Sequence, residues 1–156
     1  MRATDWLKLA ISLLAPQLAG AIGALYTAET RETWYRELTL PGFSPPDWVF
    51  GPVWTTLYIL MGIAAFLVWR RGLRQVWPAM LLFVIQLALN ALWPFLFFGL
   101  QSPLAGLIGI IALWGVLLAT VIVFWSVSRA AGALLIPYLA WVSYALILNY
   151  SIWRLN

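Results

Sequence analysis

The sequence predicts an all-α integral membrane protein, a bundle of five transmembrane helices with a long loop between helices 1 and 2 that caps a cavity. Of its 156 residues, 64% are hydrophobic and 9% are charged, whereas soluble domains contain roughly 25% charged residues. Residues 75 to 128 include no charged side chain, and this stretch is long enough for two crossings of ~20 residues each. Three further apolar runs bring the expected number of crossings to five.

The predicted helices nearly exhaust the chain, so a single transmembrane domain over residues 1–156 is expected. The first apolar run is longer than the apolar core of a secretory signal, so we interpret it as a membrane helix. Gly99 and Pro103 mark the turn between the third and fourth helices, because glycine ends helices and proline starts them. The helices are expected at about residues 6–26, 48–69, 77–98, 104–127 and 132–153.

The loop at about residues 27–47 is too apolar for an ordinary solvated linker, and we expect it to fold back over the mouth of the bundle. Its end predicts the start of the second helix. Ser44 is expected to cap that helix, Pro45 to take the first helical position, and Asp47 to lie near the positive helix end.

The chain contains neither cysteine nor histidine. This composition excludes disulfides, thiol chemistry, Cys/His zinc sites and histidine-ligated haem. We therefore expect no metal and no cofactor, and a porphyrin would be held as a ligand by packing alone. Charged residues are also absent from the expected membrane depth, which gives proton relays and ion-coupled transport no support.

The net charge of +4 comes from basic residues at helix ends, which favours contact with anionic lipid head groups over nucleic acid. Most of them lie on the side of the N-terminus, so the positive-inside rule predicts a cytoplasmic N-terminus and an external long loop. The short basic ends favour a bacterial cell membrane, with an outer membrane or a eukaryotic organelle as alternatives. The basic residues on the N-terminal side are Arg2, Lys8, Arg70, Arg71, Arg74 and Arg129.

Polar and aromatic side chains share faces on three of the predicted helices. Gln86, Asn90 and Trp93 are spaced by four and three residues, which places them on one helix face. The second helix adds Trp54 and Tyr58, and the fifth carries a similar face. Amides beside flat aromatic rings predict a pocket for a large, planar, mostly apolar ligand. The alternative is hydrogen bonding between helices, at about 0.6 kcal/mol per contact. The fifth-helix face consists of Tyr138, Trp141, Ala145 and Asn149.

The C-terminal segment fits a proposed sterol-binding pattern through Leu148, Tyr150 and Arg154. This pattern is weak. An aromatic and basic anchor at the membrane interface explains the same residues.

The order of several motifs along nearly the whole chain resembles the translocator protein family, also called tryptophan-rich sensory proteins or peripheral-type benzodiazepine receptors. The resemblance implies a five-helix bundle, usually a homodimer, that binds porphyrins, sterol-like lipids and benzodiazepine-type drugs beneath its first loop. The motifs are Trp34-Tyr35 with Pro41 and Pro45-Pro46, Trp54-Thr55-Thr56-Leu57-Tyr58, Gln86-Leu87-Ala88-Leu89-Asn90 with Trp93, Phe97-Phe98-Gly99, Pro137-Tyr138-Leu139-Ala140-Trp141 and Leu148-Asn149-Tyr150.

By matching position, the resemblance implies a set of cavity residues. In some bacterial members the family is associated with light-dependent breakdown of protoporphyrin IX, with tryptophans matching Trp54 and Trp141 implicated. Two positions depart from the pattern: Phe43 stands where many members carry tryptophan, and Gly109 where some carry aspartate. The implied cavity residues are Trp34, Tyr35, Trp54, Asn90, Trp93, Tyr138, Trp141 and Ala145.

Three functional hypotheses follow. The leading one is a membrane receptor or carrier for protoporphyrin IX and other hydrophobic ligands, acting in tetrapyrrole handling and stress regulation. The second is an enzyme that degrades porphyrin in the light with Trp54 and Trp141 in redox roles. The third is sterol or lipid translocation along the fifth helix.

Overall fold

The computed structural model describes residues 3 to 156, so Arg2 of the predicted charge asymmetry lies outside the described part. Five helices in it are long and apolar enough to cross a membrane, which confirms the predicted fold class. A sixth, short helix lies in the connection between the first two crossings. The helices are α1 (Ala3–Glu32), α2 (Trp34–Glu37), α3 (Asp47–Trp69), α4 (Leu73–Pro94), α5 (Pro103–Val127) and α6 (Arg129–Leu155), and a π-helical turn (Phe95–Gly99) continues α4.

Helix α1 extends about a turn and a half beyond its expected end near Tyr26 and ends at Glu32. The prediction took the end of the apolar run for the end of the helix. Residues 27 to 32 are polar except for Ala28, but a helix satisfies its own backbone and need not stop at the membrane boundary. The connection before α3 is therefore shorter than expected, and part of it is the helix α2.

The predicted Ser44 cap is wrong. Helix α3 begins at Asp47 with Pro46 in the capping position and without a side-chain cap. The Ser44 hydroxyl instead donates to the carbonyl of Pro41 at 2.8 Å, and the Ser44 backbone N–H bonds the same carbonyl. Ser44 is thus used to close the turn that precedes the two prolines.

Serine caps do occur at the last two helices. Ser102 accepts a hydrogen bond from the backbone N–H of Ala105, and Pro103 is the first residue of α5, as expected from the turn. The Ser128 hydroxyl likewise accepts a hydrogen bond from the backbone N–H of Ala131. With this cap, α6 begins at Arg129, three residues before its predicted start.

Small residues let α1 pack closely inside the bundle. Ala19 and Gly23 are buried, and a Cβ atom at Gly23 would lie 2.9 Å from Cγ of Pro94. On the facing helix, a Cβ atom at Gly62 would lie 2.7 Å from the carbonyl oxygen of Ser12. Contacts this close require glycine, and they bring α1 against α3 and α4 as one wall of a cavity.

Candidate ligand-binding cavity

The bundle encloses a cavity of about 450 Å³, within the range of roughly 300–1,000 Å³ typical of small-molecule sites. All six helices and the π-helical turn contribute side chains to its wall. The wall is mainly aromatic and aliphatic, with a few polar groups at defined places. It can therefore surround a hydrophobic molecule and orient it through a small number of hydrogen bonds.

Most of the side chains selected from the sequence do meet at this cavity. Those that line it are Tyr35, Trp54, Tyr58, Asn90, Trp93, Trp141, Ala145, Leu148 and Asn149.

Three other predicted residues lie behind the wall. Trp34 packs edge-on against the ring of Phe97, with the ring centroids 5.6 Å apart. Tyr138 is completely buried and accepts a hydrogen bond from the side-chain amide of Asn90. Gln86 is also completely buried, and within the described chain its amide atoms have no hydrogen-bond partner.

The polar centre of the cavity is the amide of Asn90. Tyr58 Oη donates to Asn90 Oδ1 at 3.2 Å, and Asn90 Nδ2 donates to Tyr138 Oη at 2.8 Å. An asparagine amide has two donor hydrogens and two acceptor lone pairs, so these bonds use half of its capacity. Two tyrosines from α3 and α6 thus hold the amide in place while it can still give and accept one bond each with a ligand.

A second amide, Asn149, joins three elements of the bundle. Trp93 Nε1 donates to Asn149 Oδ1 at 3.2 Å, and Asn149 Nδ2 donates to the carbonyl of Pro103 at 2.8 Å. The indole N–H of Trp93 is therefore already bonded to protein. A third interior side chain, Trp114, donates its indole N–H to the Ser143 hydroxyl at 2.8 Å and so links α5 to α6.

Stacked aromatic pairs form flat surfaces on the cavity wall. The rings of Trp54 and Tyr58 are stacked, with their centroids 5.4 Å apart and an angle of 29° between their planes. The rings of Trp93 and Phe97 are stacked in the same way, with centroids 5.3 Å apart and an interplanar angle of 23°. Such surfaces suit a ligand that is itself flat, because offset stacking is a preferred arrangement of aromatic rings.

The mouth of the cavity lies where α1 ends and α3 begins. Arg31 and Tyr35 line it, and Arg31 Nη2 lies 2.5 Å from Asp47 Oδ1. Burial raises the pKa of the Tyr35 phenol above its usual value, and the charge of Arg31 opposes this shift. The phenol is accordingly neutral at physiological pH and can donate a hydrogen bond.

Two contacts fasten the connection between α2 and α3 to α6. The Tyr144 hydroxyl donates to the carbonyl of Phe43 at 2.5 Å. Thr39 and the side-chain amide of Asn156 exchange two hydrogen bonds of 2.9 and 3.0 Å. The connection is therefore held beside the cavity mouth, as the apolar character of its sequence suggested. Phe43 takes part through its backbone and through an edge-on contact of its ring with Tyr144.

Sequence reasoning missed the contribution of α1 to the wall. Gly20 lines the cavity, and a Cβ atom there would lie 2.3 Å from Cε2 of Tyr58. Small side chains carry little chemical signal, but their spacing of three and four residues along α1 could have indicated this face. The other α1 residues of the wall are Gln17, Ala21, Gly23, Ala24, Thr27 and Arg31.

The sterol-type motif is divided between two surfaces. Leu148 is buried and lines the cavity. Tyr150 is exposed, and its ring contacts that of Trp153 with the centroids 5.9 Å apart. Arg154 is exposed in the last turn of α6. At the second departure from the family pattern, a Cβ atom at Gly109 would lie 2.6 Å from Leu96 Cδ1, so Gly109 allows α5 to pack against the π-helical turn.

The sequence is similar to known proteins over nearly its entire length. The TspO/MBR family model matches residues 12–154. The tryptophan-rich protein TspO of Archaeoglobus fulgidus is 45% identical over 150 residues, covering 96% of this chain and 97% of that protein. The human translocator protein is 38% identical over 157 residues, covering 99% of this chain and 93% of that protein. The tryptophan-rich sensory protein of Cereibacter sphaeroides is 36% identical over 152 residues, covering 97% of this chain and 93% of that protein. The family model and these relatives show that this integral membrane protein belongs to the TspO/MBR family.

Proposed function

We propose that this chain is a membrane receptor or carrier for porphyrins, such as protoporphyrin IX, and for other flat hydrophobic molecules. The observation that supports the proposal best is the aromatic cavity with a fixed amide at its centre. Its members come from four separate regions of the sequence: Trp54 and Tyr58, Asn90 and Trp93, Trp141, and the α1 face around Gly20.

Binding in such a site would depend on apolar burial and ring stacking. Each Å² of apolar surface removed from water contributes about 25 cal/mol, and favourable aromatic pairs add about 0.5–1.5 kcal/mol. Asn90 would fix the orientation through one donor and one acceptor. Because the chain has no histidine, a bound porphyrin would not be held through an imidazole.

Light-dependent porphyrin degradation is the second candidate. Trp54 and Trp141 both line the cavity, and this placement favours it. Excited porphyrin and molecular oxygen produce reactive oxygen, and neighbouring indoles can be oxidised or pass electrons.

The test is a titration with protoporphyrin IX in the dark, followed by illumination with spectra recorded. Saturable binding with bleaching no faster than that of free pigment would support the receptor or carrier. A new product spectrum that depends on both tryptophans would favour the enzyme, and the variants Trp54→Phe and Trp141→Phe provide that comparison. Absence of saturable dark binding would refute both.

The cellular setting remains part of the proposal. The basic residues on the N-terminal side support a bacterial cell membrane with the N-terminus in the cytoplasm and the cavity mouth outside. The homodimer is proposed from the family resemblance alone.

A further inference from the structure

Arg31 is the one charged residue that lines the cavity within the described chain. It lies in the last turn of α1, and its guanidinium carbon lies 5.0 Å from the centroid of the Phe50 ring. This distance is within the range of a cation–π contact. A cation is thus held at the mouth of an otherwise apolar cavity.

The partner of Arg31 is much more exposed than Arg31 itself. The side chain of Arg31 is 25% exposed and that of Asp47 is 64% exposed. An ion pair with such an exposed member contributes little to stability, because water screens the attraction. Asp47 can therefore turn into water at small cost, while Phe50 still holds the guanidinium beside the cavity.

We propose that Arg31 is a carboxylate-binding subsite, at which the acidic edge of a flat hydrophobic ligand displaces Asp47. This inference rests on the proposed function and adds to it the chemical class of the ligand, a planar apolar acid. The guanidinium fork matches a carboxylate through two parallel hydrogen bonds. The ligand ring system then lies along the aromatic wall, with its charged edge at the mouth.

Protoporphyrin IX and its dimethyl ester distinguish the contribution of the carboxylate at Arg31 from that of the ring system on the aromatic wall. They share the same macrocycle, but only the acid carries carboxylates. The acid should bind the wild-type protein about tenfold more tightly than the ester, because hydrogen bonds between charged groups are roughly twice as strong as neutral ones. Both titrations are made in the dark in nanodiscs of zwitterionic lipid.

Arg31→Gln should abolish this preference. The affinity for the acid should fall about tenfold, while the affinity for the ester should change less than about twofold. Retained ester binding also shows that the variant is folded. Asp47→Asn removes the carboxylate that competes for Arg31, so the affinity for the acid should rise about two- to fivefold. Arg36→Gln is the matched control, because Arg36 is exposed, pairs with Glu32 and does not line the cavity.

Several results would overturn the subsite. One is an equal acid preference in the wild type and in Arg31→Gln, and another is weaker acid binding in Asp47→Asn. A preference that disappears when phosphatidylglycerol is added to the nanodiscs would assign Arg31 to a lipid head group instead. If the ester binds but the acid has no advantage in the wild type, the subsite fails while the cavity function stands. If neither binds, the proposed function fails and the subsite with it.

Discussion

At the scale of single residues, the cavity depends on polar groups that satisfy one another. Asn90 is 5% exposed and Tyr138 is completely buried, so the hydrogen bond between them has no water to replace it. Removing one partner from such a pair leaves the other unsatisfied, which costs about 1–3 kcal/mol. The sequence left two roles open for the interior amides, a ligand pocket or hydrogen bonding between helices. Asn90 and Asn149 have both roles, because each lines the cavity and each bonds residues of other helices.

Asn90→Leu should therefore lower the free energy of unfolding by about 1–3 kcal/mol, because the Tyr138 hydroxyl loses its partner. The measurement is the thermal unfolding midpoint in detergent, followed by circular dichroism. Adding Tyr138→Phe should restore part of the loss, since the unsatisfied hydroxyl is then gone. A double variant less stable than Asn90→Leu alone would contradict this explanation.

At the scale of helices, the sequence predicts where the elements lie better than where they end. Apolar runs identified all five crossings, because membrane burial demands continuous apolar helix. The end of α1 was missed since residues 27–32 continue the helix in polar surroundings. The role of Ser44 was missed because a hydroxyl can bond several nearby carbonyls or amides, and the sequence does not indicate which one it meets.

Two glycines allow the packing of helices to be tested. Gly62→Ala should destabilise the protein by about 1–3 kcal/mol, because the new methyl group would meet the backbone of α1 at Ser12. Gly115 is also within a helix, but a Cβ atom there meets nothing within 4 Å. Gly115→Ala should therefore be neutral or stabilising, by up to about 0.5–1 kcal/mol. Equal unfolding midpoints for the two variants would show that α1 and α3 do not approach this closely.

At the scale of the whole molecule, the cavity is assembled from every helix. Helices with large polar or aromatic side chains revealed their cavity faces in the sequence, as Asn90 and Trp141 illustrate. Helix α1 did not, because it contributes mainly small residues whose role is to leave space. Gln86 and Tyr138 share helix faces with cavity residues but lie a turn deeper, and only the packing of neighbouring helices separates these positions.

The orientation in the membrane is testable because the chain has no cysteine of its own. Single cysteines at the exposed positions Glu37 and Arg71 (Glu37→Cys, Arg71→Cys) report opposite ends of α3. A membrane-impermeant maleimide applied to intact spheroplasts should label Glu37→Cys at once and Arg71→Cys only after lysis. The reverse pattern would place the cavity mouth in the cytoplasm.

The most direct test of the central claim is to fill the cavity and measure protoporphyrin IX binding in the dark. Ala145 lines the cavity on α6, whereas Ala140 on the same helix is exposed. Ala145→Phe should weaken binding by at least about tenfold, because a ring added inside takes the space of the ligand, while Ala140→Phe should bind as the wild type does. Undiminished binding by a folded Ala145→Phe would show that the ligand binds elsewhere.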